Sequence, residues 1–125
     1  MKFNHRIPIY QQGVDYVKSK IISGEWQAGT DLPSRRDFAK QLGINPNTAQ
    51  RIYSALEEEG LIETGRNTTS SVTSDNERLR VLRQSMTDEI LNDLITRLKQ
   101  MGFTNESVVE TLEQLIHSLK EGKHA

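Results

Sequence analysis

Asn47, Thr48, Gln50 and Arg51 fall within one short stretch of the chain, and their side chains share a chemistry, that of groups able to pair with the edges and backbone of nucleic acid. The amides of Asn47 and Gln50 suit adenine, the Arg51 guanidinium suits guanine or a phosphate, and Thr48 suits a phosphate or a thymine methyl. Across residues 33–54 the cations Arg35, Arg36, Lys40 and Arg51 are opposed only by Asp37, which makes a local basic patch. The plainer alternative is a polar helix face that merely keeps the chain in solution. Such a face is normally richer in Glu and Lys, which after Asn45 begin only at Glu57.

Other chemistries find little support. His5, His117 and His124 lie far apart in the chain, and there is no Ser-His pair, His-Glu-His set or glycine-rich phosphate loop. The chain has no cysteine, so a disulfide, a thiolate metal site and a cysteine nucleophile are excluded. Glu57, Glu58 and Glu59 occupy successive positions that point different ways on a helix, as a solvated helix end does. The expectation is a non-enzyme without metal or other cofactor.

The elements that position the polar cluster follow from periodicity and caps. Tyr10, Val14, Val17 and Ile21 mark an amphipathic helix that starts after Pro8 and closes at Gly24. Gly13 inside it costs up to ~1 kcal/mol relative to alanine, so this helix must lean on tertiary packing. Trp26 follows and reads as core. Ser34 caps a helix through Leu42 with Phe38, Ala39 and Leu42 inward, and Gly43 supplies the left-handed position that ends it. Asn45 then caps a third helix with Pro46 at its first position. Its apolar stripe is Ala49, Ile52, Tyr53 and Leu56, which leaves Asn47, Thr48, Gln50, Arg51 and Ser54 outward. Two short helices joined by a glycine-containing turn have the layout of a helix-turn-helix, whose second helix enters the major groove. Its first turn also offers N–H groups to a phosphate. Leu61–Thr64 and Ser70–Thr73 predict a β-hairpin with a polar tip at residues 65–69.

These residues resemble a known family. Pro8-Ile9-Tyr10-Gln11-Gln12, Leu32-Pro33-Ser34 with Arg36, Ala39, Leu42-Gly43, Asn45-Pro46-Asn47-Thr48, Tyr53, Leu56-Glu57 and Gly60-Leu61-Ile62 are similar to the winged helix-turn-helix domain of GntR-type transcription regulators. The Asn-Pro-Asn-Thr opening and the short tail resemble the YtrA-like branch, whose tail is a helical dimerisation element. The resemblance implies a dimeric repressor that often controls nearby transporter genes. Carried over by position, it assigns DNA contact to Arg36 on the first helix of the motif and to Asn45, Asn47, Thr48, Gln50 and Arg51 on the second. Ser34 and Arg35 beside Arg36, and Arg66 and Asn67 in the wing, are expected to contact DNA as well. A salt bridge from Arg36 to Asp37 or a neighbouring Glu is the structural alternative. The wing departs from the family pattern: Gly65-Arg66-Asn67-Thr68-Thr69-Ser70-Ser71-Val72 lacks the glycine-rich, basic tip and the aromatic anchor, which predicts weaker minor-groove contact.

After Ser74, Leu79, Leu82, Met86, Ile90, Leu94 and Leu98 trace one helical stripe, and Val108, Leu112, Leu115 and Leu119 another at heptad-like spacing. Two adjacent helices cannot bury stripes this wide against each other. Leu82, Met86, Ile90, Leu94, Leu98, Val108, Leu112, Leu115 and Leu119 are therefore expected to meet a second copy of the chain.

The expected architecture is mainly α with a small β-hairpin: a winged helix-turn-helix domain over residues 1–74 followed by a two-helix dimerisation tail over residues 75–125. The 125 residues leave no room for a large effector domain, and the formal charge of −1 averages net +1 up to Ser74 with net −2 beyond it. No apolar run approaches the ~18 residues a membrane span needs, and the start Met1–Arg6 lacks the apolar core of a signal peptide. The expected protein is a cytoplasmic homodimer with no membrane partner that binds an operator in double-stranded DNA. Competing readings are a winged-helix module that binds protein, a monomer with its tail folded back, and a regulator with a small effector in the dimer seam. The effector, operator and regulated genes are not encoded in any recognisable motif.

Overall fold

The computed structural model describes residues 3–67 and 69–123. Thr68 at the wing tip, His124, and the Met1-Lys2 start of the segment compared with a signal peptide lie outside the described residues. The chain forms two compact units, residues 1–83 and 84–125.

In the first unit, α1 (Ile9–Ile22) turns Gly13, Val14, Val17 and Ile21 inward. A Cβ at Gly13 would overlap Ile52 Cδ1, so the glycine that weakens the helix locally is what lets α1 approach the third helix. Ser34 caps α2 (Arg35–Leu42), its Oγ accepting from Asp37 N at 3.1 Å. Gly43 ends that helix at φ 66°, a left-handed conformation that side-chain-bearing residues resist. Asn45 Oδ1 accepts from Asn47 N at 2.8 Å and opens α3 (Pro46–Glu58).

These helices close on a core of Val17, Phe38, Ala49, Ile52, Tyr53 and Leu56. Trp26, read from sequence as core, sits half-buried at its edge, packed edge-on against Tyr16 with ring centroids 6.4 Å apart.

The hairpin forms where the sequence placed it. β1 (Ile62–Thr64) pairs antiparallel with β2 (Ser70–Val72), with Ile62 opposite Val72 and Thr64 opposite Ser70. Its other edge carries a partner that periodicity gave no sign of. Leu32 N donates to Ser70 O at 2.8 Å, Val72 N to Thr30 O at 2.9 Å and Gly29 N to Val72 O at 2.9 Å, so the segment leading into α2 is stitched to the wing.

The first unit runs beyond the Ser74 boundary drawn from sequence, to Arg83, because the opening turns of α4 (Asn76–Gln100) belong to it. Leu79 and Leu82 pack against its core. Arg78 Nη1 donates to Glu59 O at 3.1 Å, and Arg83 Nη2 to Ile22 O at 2.8 Å, satisfying a carbonyl at the end of α1. Leu82, assigned to the dimer stripe from its spacing, therefore serves the winged unit.

In the second unit, the rest of α4 leads through Gly102, at φ 93°, into α5 (Asn105–Lys120). Thr104 and Ser107 cap α5 reciprocally: Thr104 Oγ1 accepts from Ser107 N at 3.1 Å and Ser107 Oγ from Thr104 N at 2.8 Å. Within this unit Val108 is buried, while Met86, Ile95, Leu98, Phe103 and Leu112 are half-buried. Ile90 at 68% exposure, with Leu91, Leu94, Val109, Leu115, Ile116 and Leu119, remains open to solvent. Among the described residues no helix is long and apolar enough to cross a membrane.

Candidate nucleic-acid interface

The outward face of α3 carries the polar set expected of it. Asn45, Asn47, Gln50 and Arg51 are exposed and Thr48 is half-buried. Residues 47, 50 and 51 stand three and four apart on the helix and so share one side. Gln50 Nε2 donates to Ser54 Oγ at 3.2 Å, which leaves its carbonyl oxygen and its second N–H outward. The Arg51 guanidinium lies over the Tyr10 ring of α1, 4.5 Å from its centroid. The first turn offers fewer donors to a phosphate than the sequence suggests, since Pro46 has no N–H and that of Asn47 is spent on its cap.

The arginines at the start of α2 separate into different environments. Arg36 is exposed, and no ion pair holds it among the described residues, so the bridge to Asp37 or a nearby Glu is not formed. Arg35 turns inward. Its Nη2 is 2.6 Å from Glu57 Oε1 and its guanidinium lies over the Tyr53 ring at 5.0 Å, while its Nε is buried without a hydrogen-bond partner. Glu57 Oε1 also accepts from Thr64 Oγ1 at 2.6 Å, and Thr64 Oγ1 sits 3.1 Å from Ser70 Oγ. This polar line ties α2 to α3 and α3 to both wing strands.

Tyr53 OH donates to Pro33 O at 2.6 Å. Burial pushes the Tyr53 hydroxyl well above its ordinary range, opposed in part by the Arg35 charge, so it stays a neutral donor at physiological pH. The sequence reading missed Glu57 as a functional partner. By sequence, residues 57–59 read as a solvated helix end, whereas Glu57 braces Arg35 and Glu59 Oε1 pairs with Lys18 Nζ at 3.1 Å. Opposite charges more than twenty residues apart leave no periodic signal.

The wing tip exposes Arg66 and Asn67. It is closed by Gly65 N donating to Thr69 O at 2.9 Å, and Asn67 Oδ1 accepts from Thr69 N at 3.3 Å. Ser34 is exposed with its hydroxyl oxygen engaged as a cap. The first unit thus brings Arg36, the α3 face and the wing tip onto adjoining elements. Among the described residues no cluster of His, Asp or Glu could hold a metal ion. His117 Nε2 lies 3.0 Å from Glu121 Oε1, one turn along α5.

Known proteins carry the same arrangement. A family model described as "Bacterial regulatory proteins, gntR family" matches residues 9–71. The HTH-type transcriptional regulator YhcF of Bacillus subtilis is 33% identical over 90% of this chain and 93% of its own. The HTH-type transcriptional repressor YtrA of the same organism is 33% identical over 93% of this chain and 90% of its own. A solved GntR family transcriptional regulator from Listeria monocytogenes superposes with a TM-score of 0.82 at 32% identity, over 90% of this chain and 98% of that one. The likeness thus extends past the winged domain through the helical tail, and this chain belongs to the gntR family of bacterial regulatory proteins as a DNA-binding transcription regulator of the short, YtrA-like kind.

Proposed function

We propose that the protein is a dimeric repressor acting in the cytoplasm on an inverted-repeat operator. In this reading the winged unit reads DNA through Arg36, Asn47, Thr48, Gln50 and Arg51, with Arg66 and Asn67 as a secondary contact. Ser34 and Asn45 position the ends of their helices beside the duplex. Arg35, expected at the DNA as part of the basic patch, acts in this reading as a brace inside the domain.

The observation that carries the reading is the coexistence of an outward base-reading face on α3 and an uncovered apolar stripe on the second unit. The first needs a duplex. The second needs a partner, and a second copy of the same helices offers a self-complementary one through Met86, Ile90, Leu94, Leu98, Leu112, Leu115 and Leu119; Val108, expected on this stripe, is instead covered within its own unit. Two copies related by a two-fold axis would meet half-sites about one turn of B-DNA apart, ~34 Å. That YtrA of Bacillus subtilis is named a repressor supports the sign of the regulation.

Selection of duplexes bound from a random pool, with sedimentation of the free protein, tests this. An inverted repeat and a dimeric mass are expected. A non-palindromic consensus or a monomer overturns the symmetric dimer, and an unselected pool with salt-independent binding overturns DNA recognition altogether.

A further inference from the structure

Arg51 is the one base-reading candidate on α3 that has a platform on another element. Its guanidinium lies 4.5 Å from the centroid of the Tyr10 ring in the first turn of α1. The ring is itself seated, half-buried, on the core. Its place is set by a close approach of the two helices: Gly13, one turn along α1 from Tyr10, abuts Ile52, the residue after Arg51. A side chain at position 13 would push α1 away and withdraw the ring from the guanidinium.

A guanidinium has its donors in the plane and its polarisable face above and below. An aromatic ring that takes the face leaves the N–H edges free. It also removes much of the rotamer freedom that a long, exposed arginine otherwise loses on binding. No carboxylate competes for Arg51 in any ion pair among the described residues. An arginine held this way suits the fixed, two-pronged geometry of the guanine O6 and N7 edge. A freely moving arginine serves a phosphate equally well.

We propose that Tyr10 is a positioning residue for sequence discrimination: its ring fixes the Arg51 guanidinium edge-outward, so that Arg51 reads a guanine in the major groove. The inference rests on the DNA-reading role of α3 and adds to it a determinant on α1, outside the helix-turn-helix. Tyr10 touches no base in this account and acts through Arg51.

The test measures affinities of the full chain for its selected duplex and for duplexes altered one base pair at a time, across a salt series. The proteins are wild type, Arg51→Ala, Tyr10→Leu, Tyr10→Met and Tyr10→Phe, each checked for cooperative unfolding. Arg51→Ala is expected to abolish preference at one guanine in each half-site. Tyr10→Leu and Tyr10→Met are expected to weaken the preference at that same base pair by about two- to five-fold, the effect of an exposed cation–π contact, with preferences elsewhere and the salt slope unchanged. Tyr10→Phe keeps the ring face and is expected to retain wild-type discrimination. Tyr10→Met keeps bulk without a π face, so the test stands if Tyr10→Leu fails to fold.

Uniform loss of affinity on every duplex in the Tyr10 variants would overturn the proposal, as would equal behaviour of Phe and Leu. So would an Arg51→Ala protein that loses affinity uniformly with a shallower salt slope, the mark of a phosphate contact. A wild-type protein without sequence preference would instead defeat the DNA-reading role of α3 itself.

Discussion

Arg35 Nη2 lies 2.6 Å from Glu57 Oε1, so the first residue of α2 is ion-paired with the last turn of α3. The pair is about a quarter to a third exposed on either side chain, and Glu57 Oε1 is shared with Thr64 Oγ1. Neither partner can be removed without leaving a half-buried polar group short of its bond.

Glu57→Ala is expected to destabilise the protein by about 1–2 kcal/mol, the range for a charge-assisted hydrogen bond with partial solvent access. In a winged unit of this size each kcal/mol lowers the unfolding midpoint by about 4–8 °C. Replacing both partners by Arg35→Met and Glu57→Leu should recover part of the loss, because no orphaned charge remains. Chemical denaturation of the single and double variants checks the cycle, and additive losses would show that the pair contributes nothing as a pair.

Gly13→Ala sets helix propensity against packing. Propensity favours alanine by up to ~1 kcal/mol, whereas overpacking a filled core costs about 1–3 kcal/mol. Ile52 is fully buried, so its Cδ1 has little space to yield and a net loss near 1 kcal/mol is expected. Adding Ile52→Val removes the overlapping methyl and should restore much of it. A more stable Gly13→Ala protein by urea unfolding would show that α1 does not need this approach.

The polar residues of α2 and α3 should divide by what they touch. Arg36→Ala is expected to weaken all duplexes alike and to reduce the salt slope by about one. Gln50→Ala is expected to cost about 1–3 kcal/mol on the selected operator and little on unrelated DNA. Arg35→Ala should lower stability more than DNA affinity, in contrast to its neighbour Arg36. Fluorescence anisotropy at several salt concentrations, alongside thermal unfolding, separates these outcomes.

Leu82 and Ile90 stand on one helix yet should report on different events. Leu82→Ala removes packing from the winged core and is expected to cost about 1–2 kcal/mol, below the 2–5 of a fully buried leucine, with assembly intact. Ile90→Glu or Leu115→Glu, at exposed positions, should leave the winged unit folded and abolish self-association. Sedimentation velocity distinguishes them, and a dimeric Ile90→Glu, Leu115→Glu double variant would remove this stripe as the interface.

What was legible in the sequence was local. The Ser34 and Asn45 caps, Pro46 at the first helical position, the left-handed Gly43 and the polar face at 47–51 all depend on residues within one or two turns of each other. A linear pattern records such spacings directly. The helical periods likewise marked which faces are apolar, and the β-prone runs located the wing.

Only the tertiary structure decided what lies against those faces. It assigned Gly13 to a close approach, paired Arg35 with Glu57, and packed Leu82 on the winged core. It also stitched residues 29–32 to β2 and placed Arg51 on Tyr10. Each of these joins groups well separated along the chain, and hydrophobic period and charge counts carry no information about such pairings. An arginine has the same formula whether it braces a domain or reads a base, and which it does depends on the neighbour that folding brings within about 3 Å.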